Sequence, residues 1–207
     1  NFINKAVNSV VSQSQKFDNF YISDNSTINN NNFDLNNNIN VVFRGGKLDL
    51  YEHFSIVMKE SKYDYIIILH DDDYLHVDYL KTVKKNIKNK DNFLALGING
   101  YFVVNNNKTK KIIFKNNINF IRRIEPFDLL KRYLDVDCGG VAPFSGYLYD
   151  VKKIKKNIAL PCYSKGNNYA DTIFIHNISL KKGLFWLDEK LINVTLHENS
   201  LSNNSGL

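Results

Sequence analysis

The chain has 207 residues, of which 43% are hydrophobic and 13% aromatic, and this composition supports one sizeable buried core. The formal net charge of +6 comes mostly from scattered lysines. Such lysines are typical of a hydrated surface and, less often, of attraction to anionic lipid headgroups or an anionic nucleotide. The lysine runs lack the interleaved aromatics of a nucleic-acid groove, so nucleic acid is not an expected partner. No apolar run approaches the roughly 20 residues of a membrane-spanning helix.

The two cysteines and the first residue give further indications about the chain. Cys138 and Cys162 form no metal or redox motif, and a reduced pair is the simpler interpretation, with a disulfide left open. The chain begins at Asn1 rather than at methionine, and we therefore expect a fragment without its original start.

Hydrophobic spacing predicts alternating helices and strands in the first half of the chain. In order, these are a helix at 2–14, strands at 20–22 and 41–43, a helix at 51–58, a strand at 65–69 and a helix at 77–87. The 65–69 strand is apolar without alternation, as expected of a strand covered on both faces. This order predicts an α/β sandwich with a mostly parallel sheet, to which the missing start would add a first strand.

The second half has a different pattern. It predicts a hairpin at 101–104 and 111–114, a helix at 127–134 after Pro126, a loop at 138–146, a helix at 170–182, and strands at 185–187 and 191–196.

The main chemical signal is the run Asp71-Asp72-Asp73, directly after the 65–69 strand. Ligands of open α/β sheets bind at the carboxyl ends of strands. Because adjacent carboxylates repel one another, a cation or extensive hydrogen bonding is needed to keep all three ionised. Oxygen ligands of this kind suit Mg²⁺ or Mn²⁺ shared with substrate phosphates. The alternative is an acidic turn that caps a helix beginning near His76, a role that would suit Asp73 in particular.

Two polar residues near the earlier strands are weaker candidates for binding a nucleotide. Asp24 closes the first strand and is either a hydrogen-bond acceptor for a nucleobase or the first residue of an Asx-turn. Arg44, beside Gly45 and Gly46, is either a phosphate contact or part of a surface turn.

Six stretches, taken together, resemble a known family. They are 6–13, Ile22-Ser23-Asp24-Asn25-Ser26, 68–80 around the acidic run, Tyr169-Ala170-Asp171, Trp186-Leu187-Asp188-Glu189-Lys190-Leu191, and His197-Glu198-Asn199-Ser200-Leu201-Ser202. In this order they are similar to family-2 glycosyltransferases of the GT-A fold. The resemblance implies a three-layer sandwich and a single GT-A domain over 1–207, without its first strand. It divides the domain into a nucleotide-binding part at about 1–98 and an acceptor-binding part at about 99–207.

The resemblance also implies roles for individual residues. It assigns the donor to Asp24 and Asp71, a divalent metal to Asp72, Asp73 and His197, base catalysis to Asp171, and the acceptor site to Ser145 and Gly146. Asp72 is favoured as the principal metal ligand, although Asp71-x-Asp73 also fits the family's DXD motif. The chain departs from the family where an Asn is expected in the helix after the second strand, and His53 stands in for it as a donor contact. On the residues alone, Asp171 is better explained as a helix N-cap, and His197 as a partly buried strand histidine.

The function implied is transfer of a sugar, with inversion, from a UDP-sugar or other nucleoside-diphosphate sugar to a glycan or lipid-linked acceptor, with Mn²⁺ or Mg²⁺ as cofactor. Synthesis of surface polysaccharide, a cytoplasmic location and peripheral association with the inner face of a membrane are expected by resemblance only. Three alternatives stay open. They are a sugar nucleotidyltransferase, a non-catalytic carbohydrate-binding GT-A relative, and a phosphotransferase of the haloacid-dehalogenase type.

Overall fold

The computed structural model describes residues 2–28, 39–88, 93–104, 107–113, 121–134, 145–158 and 170–198. The helices in these ranges are α1 (Phe2–Val11), α2 (Leu50–Glu60), α3 (Tyr79–Ile87), α4 (Pro126–Leu134), α5 (Val151–Asn157) and α6 (Ala170–Leu180). The strands are β1 (Tyr21–Asp24), β2 (Asn40–Phe43), β3 (Tyr65–Ile67), β4 (Tyr74–Leu75), β5 (Ala95–Val104), β6 (Asn107–Ile112), β7 (Arg122–Arg123), β8 (Leu148–Asp150) and β9 (Leu184–Leu196).

The strands form two sheets. β1 and β2 pair in parallel, and a larger sheet has the order β3-β8-β5-β9-β4, with β6 added to β5 and β7 to β9. The principal strands β3, β5 and β9 run in one direction, and the shorter β4, β6, β7 and β8 run antiparallel to their partners. The predicted α/β class is therefore confirmed, with the strongest predicted strand, β3, at one edge of the larger sheet.

Helix α2 shows how local sequence sets an element. The side chain of Asp49 accepts hydrogen bonds from the backbone N–H groups of Tyr51 and Glu52, and Glu52 bonds back to the N–H of Asp49 in a capping box. From that start, Phe54 and Met58 lie one turn apart and are buried in the core. The core continues through residues of α3, β5, β8 and β9, with Trp186 only 1% exposed.

Helix α1 is bound along the segment that follows the acidic run. The Ser9 hydroxyl accepts from the N–H of Leu75 at 3.0 Å. The Gln13 amide donates to the carbonyl of His76 at 2.7 Å and accepts from the N–H of Leu80 at 3.0 Å. Because these bonds pair side chains with backbone groups and are buried or partly buried, they fix the position of the helix relative to the start of α3.

The structure corrects one strand assignment. The predicted strands at 185–187 and 191–196 are a single strand, β9, whose register against β5 shifts between Ile98 and Gly100. The polar residues 188–190 suggested a turn, but Asp188 is 2% exposed and accepts a hydrogen bond from the buried Asn99 side chain. The extra residues form a bulge in a continuous strand.

Several predictions are not tested by the residues that the structure describes. Most of the 138–146 loop, both cysteines and Tyr169 lie outside the described residues. The division of the domain near residue 98 stays a prediction, and β5 runs across that point. None of the helices in the described ranges is long and apolar enough to cross a bilayer.

Candidate active site

The acidic run follows β3 in a loop that is tied to the start of β8. The backbone N–H of Gly146 donates to the carbonyl of Ile68 at 2.8 Å, and the N–H of His70 donates to the Ser145 hydroxyl at 3.0 Å. Ser145 itself is 2% exposed, so its hydroxyl is a fixed acceptor beneath the loop. These two contacts orient His70 and the aspartates that follow it.

Three side chains of this loop converge. One ligand atom each from His70, Asp72 and Asp73 lies within 4.8 Å of the others. Asp72 is half-buried and Asp73 buried, whereas Asp71 is exposed. The sequence analysis missed His70, although its position directly before the aspartates was the available signal.

Asp73 is a buried carboxylate rather than a helix cap. Its Oδ1 accepts from the backbone N–H of Thr195 at 2.9 Å, and α3 begins at Tyr79 with Asp78 in the N-cap position, so the capping interpretation is wrong. Burial raises the pKa of Asp73 to about 6, and the charge of Asp72 adds to the rise while His70 opposes it. A bound cation would offset both the burial and the repulsion.

His197 joins this group from the far end of β9. Its Nε2 lies 3.1 Å from Oδ2 of Asp72, and both side chains are 25% exposed. The structure therefore brings together His70, Asp72, Asp73 and His197, which we call the acidic cluster. Two carboxylates with neighbouring imidazoles form a mixed oxygen and nitrogen donor set that fits a divalent ion such as Mn²⁺.

Asp171 lies in the first turn of α6 and is half-buried. Its Oδ1 accepts from the backbone N–H of Thr172 at 2.7 Å and from the Thr172 hydroxyl at 3.4 Å. Burial raises the pKa of Asp171, while the Thr172 bonds and, more weakly, the charge of His70 lower it. The charge of His70 thus favours the ionised form of both Asp73 and Asp171.

A second group, which we call the β1–β2 cluster, is built on β1, β2 and α2 and contains Ser23, Asp24, Arg44, His53 and Glu60. Asp24 Oδ1 accepts from the N–H of Ser26 at 2.9 Å, so the predicted Asx-turn is present. The other oxygen, Oδ2, is buried and accepts no hydrogen bond from any residue that the structure describes. Such an orphaned acceptor is suited to a ligand donor.

The rest of the β1–β2 cluster is already paired. His53 Nε2 lies 2.7 Å from the Ser23 hydroxyl, which also accepts from Arg44 Nε at 3.2 Å. Arg44 forms a bidentate ion pair with Glu60, in which Nη1 lies 3.0 Å from Oε1 and Nη2 bonds to Oε2. Burial, and then the charge of Arg44, lower the pKa of His53 against the opposing charge of Asp24. His53 is therefore neutral near pH 7.

Ser145 and Gly146, predicted to line the acceptor site, lie directly under the acidic loop. Besides holding His70, the Ser145 side chain hydrogen-bonds Asp73 and lowers its pKa. Gly146 has a φ of 78°, and its carbonyl accepts from the buried Tyr79 hydroxyl at 2.6 Å. These contacts support the loop; an acceptor contact stays a prediction.

An α/β sheet with clustered carboxylates after a strand, together with a half-buried aspartate at a helix start, is typical of a GT-A-type domain. The chain belongs to glycosyl transferase family 2, whose sequence model matches residues 1–151. No curated protein matches the chain in sequence.

Solved structures of S. aureus TarS share the fold. TarS 1-349 in complex with UDP-GlcNAc is 16% identical with a TM-score of 0.69, over 99% of this chain and 57% of that chain. TarS 1-349 in complex with UDP is 17% identical with a TM-score of 0.66, over 95% of this chain and 57% of that one. A third structure, of TarS, is 15% identical with a TM-score of 0.68, over 95% of this chain and 35% of that one. The chain thus spans a third to somewhat more than half of the length of these structures.

Proposed function

We propose that the protein transfers a sugar from a nucleoside-diphosphate sugar to an acceptor hydroxyl, with inversion and with a divalent metal. The main supporting observation is the acidic cluster, in which ligand atoms of His70, Asp72 and Asp73 lie within 4.8 Å of one another. Membership of glycosyl transferase family 2 supports the reaction class. The UDP and UDP-GlcNAc complexes of TarS support a UDP-sugar as the first donor to test.

The donor's nucleoside is assigned to the β1–β2 cluster. The orphaned Oδ2 of Asp24 is free to accept from an N–H of the base, and neutral His53 offers a hydrogen bond without a charge. Asp71 is exposed and is assigned to the ribose hydroxyls. Arg44 would reach a phosphate by exchanging Glu60, whose side chain is 51% exposed to solvent.

The diphosphate is assigned to the acidic cluster. Asp72 is the principal ligand in this proposal, with His70 and Asp73 beside it and His197 in contact with Asp72. A bound Mn²⁺ or Mg²⁺ supplies positive charge that offsets the negative charge developing on the diphosphate leaving group. The Ser145 hydroxyl accepts from the backbone N–H of His70 and so helps to hold the loop that carries the cluster.

Asp171 is the proposed general base. Its carboxylate is oriented by Thr172 through Oδ1 and is assigned to take the proton of the acceptor hydroxyl. Because burial raises its pKa, the carboxylate is a stronger base than an exposed aspartate. The hydroxyl oxygen then bonds to the anomeric carbon from the face opposite the diphosphate. The bond from that carbon to the phosphate oxygen breaks, the nucleoside diphosphate leaves with the electron pair, and the configuration is inverted.

The test measures release of UDP from a panel of UDP-sugars, with Mn²⁺ and with chelator. Asp171→Asn should keep UDP affinity and lose turnover by about 10²- to 10⁴-fold. Asp128→Asn, which changes an exposed aspartate in the first turn of α4, is the matched control. Turnover that survives chelator or Asp72→Ala would refute the site. Metal-dependent UDP binding without any turnover would instead indicate a non-catalytic relative.

A further inference from the structure

The first residue of α1 contacts the acidic cluster from outside. The rings of Phe2 and His197 are stacked, with centroids 4.9 Å apart and an angle of 22° between their planes. His197 Nε2 in turn lies 3.1 Å from Oδ2 of Asp72. We propose that Phe2 is a positioning residue for the metal site. Its ring holds the His197 ring in the orientation that brings Nε2 close to Asp72. This inference depends on the metal site of the proposed function.

Helix α1 holds Phe2 in a fixed position. Phe2, Ala6, Ser9 and Gln13 follow one another at helical spacing, and the last two are hydrogen-bonded to the segment that follows the acidic run. One turn from Phe2, the Lys5 ammonium lies 3.9 Å from the centre of the Tyr74 ring. Phe2 therefore approaches His197 from a helix that is attached along most of its length.

The exposure of Phe2 favours this role over a purely structural one. Its side chain is 41% exposed, so it contributes little to the buried core. His197 follows β9 directly and is 25% exposed, and its ring is set by its contacts, among them the Asp72 carboxylate and the Phe2 ring. A stacked ring restricts rotation of the imidazole. Residues that orient metal ligands or their partners in this way affect metal affinity although they never touch the ion.

The experiment measures Mn²⁺ affinity by electron paramagnetic resonance of the free ion, in protein without donor. Phe2→Leu removes the flat ring and keeps an apolar side chain, and it should weaken Mn²⁺ binding by about 3- to 10-fold. Phe2→Tyr keeps the ring and should bind Mn²⁺ as the unchanged protein does. Phe127→Leu alters a 76% exposed phenylalanine at the start of α4 and should leave the affinity unchanged.

A double-mutant cycle shows whether Phe2 acts through His197. In a His197→Ala background, Phe2→Leu should have no further effect on Mn²⁺ affinity. An undiminished effect in that background, or equal affinity of Phe2→Leu and the unchanged protein, would overturn the positioning role. Unchanged protein that binds no Mn²⁺ would overturn the metal site and this inference together. Normal Mn²⁺ binding without sugar transfer would contradict the proposed function and leave the role of Phe2 standing.

Discussion

The carboxylate of Asp73 accepts a hydrogen bond from the backbone N–H of Thr195 at 2.9 Å, which joins the acidic loop to β9 across 122 residues of sequence. Asp73 is only 3% exposed, so this bond is made by a titratable group inside the protein. Asp73 therefore both joins the loop to β9 and contributes charge to the site. Its ionisation changes the free energy of unfolding.

We predict that Asp73 makes the metal-free protein less stable as the pH rises. Its pKa in the folded protein, about 6, lies above the ordinary value of 3.8, so the folded state binds the proton more tightly. The stabilisation is complete below pH 4 and is lost as the pH rises through 6, with a total on the order of 3 kcal/mol. Denaturant unfolding in chelator between pH 4 and 7 measures it. The difference in unfolding free energy between the unchanged protein and Asp73→Asn should fall over that range, and a constant difference would contradict the prediction.

We predict that Gly146→Ala destabilises the protein by about 1–3 kcal/mol, because Gly146 has a positive φ. An added Cβ would also lie 2.2 Å from Cδ1 of Ile192, which must then move. Gly45→Ala is the matched control, since Gly45 has a similar φ of 77° but only a 4.0 Å contact with Phe43. Thermal unfolding should show the larger loss for Gly146→Ala. Equal losses would show that Ile192 adapts without strain.

The sequence predicted those parts of the fold and site that depend on local pattern. The stripe of α1 and the strand β3 were visible because periodicity and composition report local structure within one element. The predicted cover on both faces of β3 is wrong, since Tyr65 is 47% exposed and the two isoleucines of the strand are only half-buried. Asp72 was found as part of an unusual acidic run, and Asp24 and Asp171 through the order of short motifs.

What the sequence did not predict depends on distant contacts. His70 is oriented by Ser145, 75 residues away, and no local pattern reports such a bond. The continuity of β9 depends on the burial of Asp188 against Asn99, 89 residues away, whereas polar residues in sequence normally indicate a turn. Tertiary contacts of this kind override local propensity.

We predict that Arg44→Gln raises the pKa of His53. The charge of Arg44 opposes protonation of His53, and burial, the larger cause, remains after the substitution. The pKa should therefore rise and yet stay below the ordinary value of 6.5. Titration of the His53 ring protons by NMR measures the change, with His53→Gln used for assignment. Lys59→Gln, which removes an exposed charge next to Glu60, should leave His53 unchanged; an equal shift there would mean that net charge rather than Arg44 is responsible.

The base role of Asp171 predicts a particular response to Thr172→Val. The substitution removes the hydroxyl bond to Oδ1 and keeps the backbone bond, and the lost bond had lowered the pKa of Asp171. A general base acts when deprotonated, so the acid limb of the kcat profile should move to higher pH, with the plateau retained. Thr82→Val, on α3, should leave the limb in place. If Thr172→Val lowers kcat equally at every pH, Thr172 serves only the fold of α6, and the acid limb belongs to a group other than Asp171.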